Sequence, residues 1–198
     1  MRRLQGLSAI VGSGKPAMFA GTLGLEIILM TMKRIFLLLA MAIGAGTTIH
    51  AQDMDYRIHS VFLYNFTKYV QWPAAAQSGD FVIGVVGDSP IYDELTKITN
   101  GKMAGGQKIT VKRFRSADAV ETCHMLFVPS SANFDKVQAK TAGKPVLLIT
   151  EKAGLSQKGS AINFVVRDNK WRFELNENAT RSAGLKVASE LAKLAIAV

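Results

Sequence analysis

Residues 81–98 read Phe-Val-Ile-Gly-Val-Val-Gly-Asp-Ser-Pro-Ile-Tyr-Asp-Glu-Leu-Thr-Lys-Ile, and their pattern sets the class of the molecule. The first six residues form a continuous apolar run of strand length. That is the pattern of a strand covered on both faces, not of one with a solvated side. Gly87-Asp88-Ser89-Pro90 then turns the chain, and Ile91 to Ile98 reads as a helix. Asp88 or Ser89 is its expected cap, with Pro90 in the first helical position. A buried strand feeding a helix through a tight turn opens a parallel crossover unit.

The pattern repeats downstream. Lys108–Phe114 alternates as a strand and Ser116–Glu121 reads as a short helix. Strand Cys123–Val128, helix Asn133–Ala139 and strand Pro145–Thr150 follow. Gly159–Arg167 and Trp171–Leu175 then flank Asp168-Asn169-Lys170 as a β-hairpin. Ala183, Val187, Leu191 and Leu194 fall on one stripe of an expected final helix, capped by Asn176 or Asn178. The expected fold is α/β: a three-layer sandwich with a mostly parallel central sheet, a C-terminal β-hairpin and packed N- and C-terminal helices. In a flavodoxin-like order the strand carrying Lys108, Lys112 and Arg113, with Arg115 just beyond, lies at the sheet edge. Solvated charge there discourages strand addition.

Upstream, Tyr56 to Pro73 reads as an aromatic-rich helix stopped by its proline. It holds three of the four tyrosines and six of the sixteen aromatic residues of the chain. Before it, Met32-Lys33-Arg34, an apolar run and a small residue at Ala51 have the form of a secretory signal peptide over residues 32–51. The apolar run is shorter than the roughly 20 residues a membrane span needs. Residues 1–31 fit no leader, and the expected start of translation is Met30 or Met32. Residues 52–198 are then expected to be a single domain. They hold 19 Lys and Arg against 14 Asp and Glu, a net charge of +5. That excess is too small to imply nucleic acid.

Chemistry is sparse. Cys123 is the sole cysteine, so no internal disulfide is available, and its apolar neighbours read as a buried strand. His59 and His124 stand apart, no His, Cys, Asp or Glu cluster has metal spacing, and no cofactor is expected. Gly154-Leu-Ser156-Gln-Lys-Gly159 misses the nucleophile-elbow spacing by one residue. Gly87, Asp88 and Ser89 sit where open α/β sheets bind ligands, and the same residues are ordinary turn-and-cap chemistry.

Several separated segments resemble the YfiR-like family of periplasmic proteins. They are Phe62-Leu-Tyr-Asn-Phe-Thr-Lys-Tyr-Val-Gln-Trp-Pro73, Phe81–Gly87, Cys123–Phe127 and Lys144–Ile149. Ala161–Phe164, Arg172–Asn176 and Ala183-Gly-Leu185 follow in order. The resemblance implies a periplasmic α/β sandwich, often dimeric, that is not an enzyme. It further implies a partner in the inner membrane, the sensory region of a diguanylate cyclase or histidine kinase, and with it cyclic-di-GMP and biofilm control. Relatives regulated through disulfides have more cysteines, so Cys123 departs from that pattern.

A helix apolar on most of its circumference is covered on more than one side. Phe62 and Phe66 are expected to pack into the domain itself. Tyr64, Tyr69 and Trp72 are expected at a partner or homodimer interface. The alternative function is a sensor for a small envelope ligand near Gly87-Asp88-Ser89.

Overall fold

The computed structural model describes residues 55–198. The signal peptide, its cleavage after Ala51 and the expected upstream start lie outside them. Among the described residues five helices and ten strands are arranged as a mixed α/β fold. The N-terminal helix is α1 (Tyr56–Tyr69), followed by β1 (Val70–Gln71), β2 (Phe81–Val86) and α2 (Ile91–Thr99). Next come β3 (Met103–Ala104), β4 (Gln107–Phe114), β5 (Met125–Val128), α3 (Phe134–Thr141) and β6 (Leu147–Thr150). The chain closes with β7 (Ile162–Arg167), β8 (Lys170–Leu175), α4 (Glu177–Ser182), β9 (Lys186–Val187), α5 (Ser189–Leu194) and β10 (Ile196–Ala197).

The main sheet has the order β10-β8-β7-β6-β5-β2-β4-β3. Its centre, β7-β6-β5-β2-β4, is parallel throughout, with Ile83 level with Val111 and Met125, and Met125 level with Leu147. Alternation divides the side chains between two cores. Ile83, Val85, Met125, Phe127, Leu147 and Ile149 meet α1, α2 and α5 on one face. Val86, Leu126, Val128 and Leu148 meet Phe134 and Val137 of α3 on the other. Helices on both faces give the three layers that continuous apolar strands demand. Mid-strand Gly84 is held by close approach: a Cβ there would lie 2.5 Å from the Phe114 ring and 2.8 Å from Leu126.

The hairpin of β7 and β8 is antiparallel, with Phe164 opposite Phe173. Its turn residues Asp168 and Asn169 both have positive φ, 50° and 56°, as a two-residue primed turn requires. Among the described residues only the two-residue β3 lies outside β4, pairing with Gln107 and Lys108. The remainder of that charged strand therefore faces solvent along its outer edge, as its lysines predict.

Four expectations differ from the structure. The single C-terminal helix is instead α4, β9, α5 and β10 in succession. Gly184 at φ +70° ends α4, with its N–H bonded to Arg181 O and the Leu185 N–H to Thr180 O. These two bonds are the Schellman stop that a left-handed glycine supplies. Val187 then pairs with Val70, so the segment becomes a strand. The same pairing ends α1 at Tyr69, short of Pro73, with Ala188 N–H bonded to Tyr69 O at 2.8 Å. The helix expected over Ser116–Glu121 is a single 3-10 turn at Ala117–Ala119.

The start of α2 also differs from its expected cap. Pro90 itself occupies the cap position, and no side chain caps the helix. Asp88 is drawn instead to Arg113 on β4, 2.9 Å away. Asn133 and Asn176 do cap their helices, accepting from Lys136 N–H and Ala179 N–H.

Candidate functional site

Helical spacing sorts the residues of α1. His59, Leu63, Phe66 and Thr67 recur on one face and are buried. Phe66 packs edge-on to Phe173, with ring centroids 5.3 Å apart, and half-buried Phe62 reaches Phe164 at 5.9 Å. The expectation that Phe62 and Phe66 pack into the domain agrees with this arrangement.

The opposite face is apolar but uncovered. Ile58 is 39% exposed, Val61 50% and Tyr69 38%. Ile58, Val61, Phe62 and Asn65 follow the helical repeat and, with Arg57, line a shallow groove of about 450 Å³. Most large apolar side chains of this domain are inside, so a stripe of them along one helix marks a surface awaiting contact.

Of the aromatic residues expected at an interface, only Tyr69 is exposed. Tyr64 is half-buried, with the Lys68 ammonium over its ring at 4.6 Å. Trp72 is only 7% exposed and sits edge-on to Phe81 at 4.8 Å. Its side chain belongs to the core, because the chain leaves α1 at Val70 and turns inward. The exposure of Ile58 and Val61 follows from their place on a helical projection, where both lie away from buried Leu63.

His124 is a structural ligand of the main chain. Its Nδ1 accepts from Val82 N–H at 3.0 Å, which leaves Nε2 to donate to Ala76 O at 2.6 Å. Its ring stacks on Phe81 at 4.5 Å. Next to it, Cys123 is buried and free. Burial pushes its thiol up to about 12, against the weaker pull of Lys144 and Lys112. It therefore stays a neutral thiol at physiological pH.

At the carboxyl ends of the parallel strands, Gly87, Asp88 and Ser89 are brought beside Glu151 and the first turn of α1. Gly87 N–H is taken by Phe114 O at 2.7 Å, and Asp88 by Arg113. The hydroxyl of Ser89 is buried, lying against the Tyr56 phenol at no bonding geometry. Glu151 Oε1 accepts from Ser130 N–H at 3.0 Å and from Tyr56 at 3.4 Å. Burial raises the Glu151 carboxyl, with the Ser130 N–H opposing. Beside it a cavity of about 380 Å³ is walled by Phe164 and Trp171 and reaches Glu174.

Glu174 is buried and held from inside the sheet. Its Oε2 accepts from Ser156 at 2.5 Å and from the Asn163 amide at 3.0 Å. Asn163 in turn accepts from Thr150 at 2.7 Å. A buried carboxylate survives only with such partners. Among the described residues no group of three or more His, Cys, Asp or Glu is placed to hold a metal ion, and no helix is long and apolar enough to cross a membrane.

The model of the YfiR/HmsC-like family matches residues 56–196, from the first residue of α1 into β10. The chain belongs to the YfiR/HmsC-like family. Comparison with curated proteins gives no match. YfiR/HmsC-like proteins are periplasmic regulators associated with cyclic-di-GMP signalling and with membrane signalling partners. For such a domain a protein-binding face matters more than a constellation of reagents.

Proposed function

We propose that this chain is an exported, non-catalytic regulator. Residues 32–51 are removed as a signal peptide, and residues 52–198 act as one domain in the periplasm. The domain binds the extracytoplasmic sensory region of an inner-membrane diguanylate cyclase or histidine kinase and tunes its output. The observation that carries the reading is the uncovered stripe Ile58, Val61 and Tyr69 on α1, with Phe62 forming the floor of its groove. Apolar anchors inside a polar rim are what a protein interface uses, and Arg57, Asn65 and Lys68 supply that rim. Tyr64 adds a half-buried edge to the same surface, which serves a second copy of the chain equally well in a homodimer.

A photo-crosslinking residue at position 61, in whole cells, tests this. A crosslink to a membrane protein with a cyclase or kinase output supports the reading. Crosslinks confined to soluble proteins or to none overturn it.

A second reading is favoured by one feature. Gly87, Arg115, Ser131, Asn133 and Lys136 line a hollow of about 290 Å³ at the carboxyl ends of β2, β4 and β5. The chain reverses its strand order at β2, which is where open α/β sheets hold ligands. A small envelope anion there is the alternative. A thermal shift with phosphate or small carboxylates, lost in Arg115→Ala, would favour it over a protein partner.

A further inference from the structure

Among the described residues, four buried side-chain atoms have no hydrogen-bond partner: both ring nitrogens of His59, Ser89 Oγ and Glu151 Oε2. Such atoms are few in native interiors, and each calls for a physical explanation. All of them gather around one residue of the first turn of α1. The Tyr56 phenol reaches Glu151, lies against Ser89, and its ring centroid is 6.0 Å from that of His59.

His59 fills a slot in the seam between α1 and the β7–β8 hairpin. Its ring stacks on Phe164 with centroids 4.1 Å apart and meets Trp171 edge-on at 4.5 Å. The neutral ring fits this apolar slot. An imidazolium would carry a charge and two N–H groups into a place with no acceptor.

No neighbouring charge hydrogen-bonds either ring nitrogen. On its own helix, Asp55 accepts from Arg57 N–H at 3.1 Å and lies 3.5 Å from the Arg57 guanidinium. The loop after β6 offers Glu151, whose Oε1 serves Ser130 and Tyr56; its Oε2 is unpartnered but bonds neither His59 nitrogen, and burial favours the neutral carboxyl. The hairpin turns the rings of Phe164 and Trp171 to His59, while its charged pair Arg167 and Glu174, 3.7 Å apart, is committed to itself.

We propose that the His59 slot is an acid-sensitive latch: protonation of the imidazole drives it out from Phe164 and Trp171 and frees the first turn of α1 from the hairpin, while the sheet stays folded. Local opening of this kind draws on the least satisfied part of a structure. Burial holds the His59 ring down to about 4, from an ordinary 6.5, with the Asp55 carboxylate opposing. The closed seam therefore favours the neutral ring, and opening becomes easier as pH falls from 6.5 towards 4. Proton linkage makes the open fraction about 30-fold larger at pH 5 than at pH 7.5. The latch belongs to the chain alone and does not depend on the partner proposed above.

Hydrogen exchange of the exported protein, expressed as protection factors at pH 7.5 and pH 5, tests it. Amides of Ile58–Phe62 are expected to lose about 30-fold protection, with β5 and β6 unchanged, and His59→Phe is expected to abolish the difference. A uniform loss across the domain, no loss at all, or an acid effect that survives in His59→Phe overturns the proposal. If His59→Phe does not fold, the wild-type imidazole is titrated by NMR. Titration below 6 in step with lost protection supports the latch. Titration above 6 with Ile58–Phe62 still protected overturns it.

Discussion

Trp72 donates its indole N–H to the main-chain oxygen of His124, 3.1 Å away, and the same oxygen accepts from Leu147 N–H at 2.9 Å. The His124 ring meanwhile holds Ala76 O, just beyond Trp72, and Val82 N–H at the start of the sheet. The turn after α1 is thereby fixed to β2 and to the entrance of β5. Trp72→Ala is expected to destabilise the domain by about 3–5 kcal/mol, the usual result of emptying a large buried ring. Urea unfolding measures it. Partner affinity per folded molecule should stay within twofold, the reverse of what an interface residue would show.

Val61→Asp should behave in the opposite way. Half of Val61 is exposed, so its effect on stability should stay within about 0.5 kcal/mol. A charge at the centre of the proposed interface should weaken capture of the proposed membrane partner tenfold or more, about 1.4 kcal/mol. Parallel melting curves and crosslinking yields separate the two. Unchanged capture would remove α1 from the interface.

The Glu151 carboxyl is raised by burial, so the folded state favours its neutral form. Its contribution to stability is then largest below the ordinary carboxylate value and declines as pH rises through the folded value. Glu151→Gln keeps an acceptor for Ser130 N–H and removes the charge. Its melting temperature should match wild type at pH 4 and exceed it at pH 7.5. A variant less stable by the same margin at both values would refute this.

Glu174 and Arg167 are a pair of unequal partners, with side chains 6% and 62% exposed. Arg167→Ala removes a mostly solvated contact at 3.7 Å and should cost no more than about 0.5 kcal/mol. Glu174→Ala strands the Asn163 amide, removes the shorter bond of the Ser156 hydroxyl, and should cost about 3 kcal/mol. Chemical denaturation of the two variants gives the comparison.

Cys123, buried and with its thiol pushed up to about 12, should react with an aromatic disulfide reagent only through unfolding. Native protein is expected to show under a tenth of the labelling seen in 8 M urea at pH 8. Rapid native labelling would mean that the second core opens readily.

Where local pattern and tertiary role coincide, the sequence is legible. The run Phe81–Val86 is apolar on both faces because helices cover both, and Asp168-Asn169 turns a hairpin because both tolerate positive φ. The C-terminal segment misleads because Ala183, Val187, Leu191 and Leu194 keep helical spacing across a glycine. The left-handed stop at Gly184 and the pairing of Val187 with Val70, a distant strand, end the helix there. Trp72 misleads for a related reason: aromatic content says that a ring will be buried, not which surface buries it. His59 was readable, since it falls four residues before Leu63 and seven before Phe66 on the buried stripe. Its missing partners were not, because they are a property of the hairpin packed over it.

The antiparallel pair Val70–Gln71 with Lys186–Val187 has a consequence for the order of assembly. A chain that emerges N-terminus first presents the aromatic helix long before the strand that secures its end. Contacts so far apart in sequence close late and slowly. Until residue 187 is available, α1 lacks the clasp that sets where it ends, and its apolar faces are open to other surfaces. The buried face of α1, whose Phe66 packs on Phe173, is thus left uncovered until late in assembly.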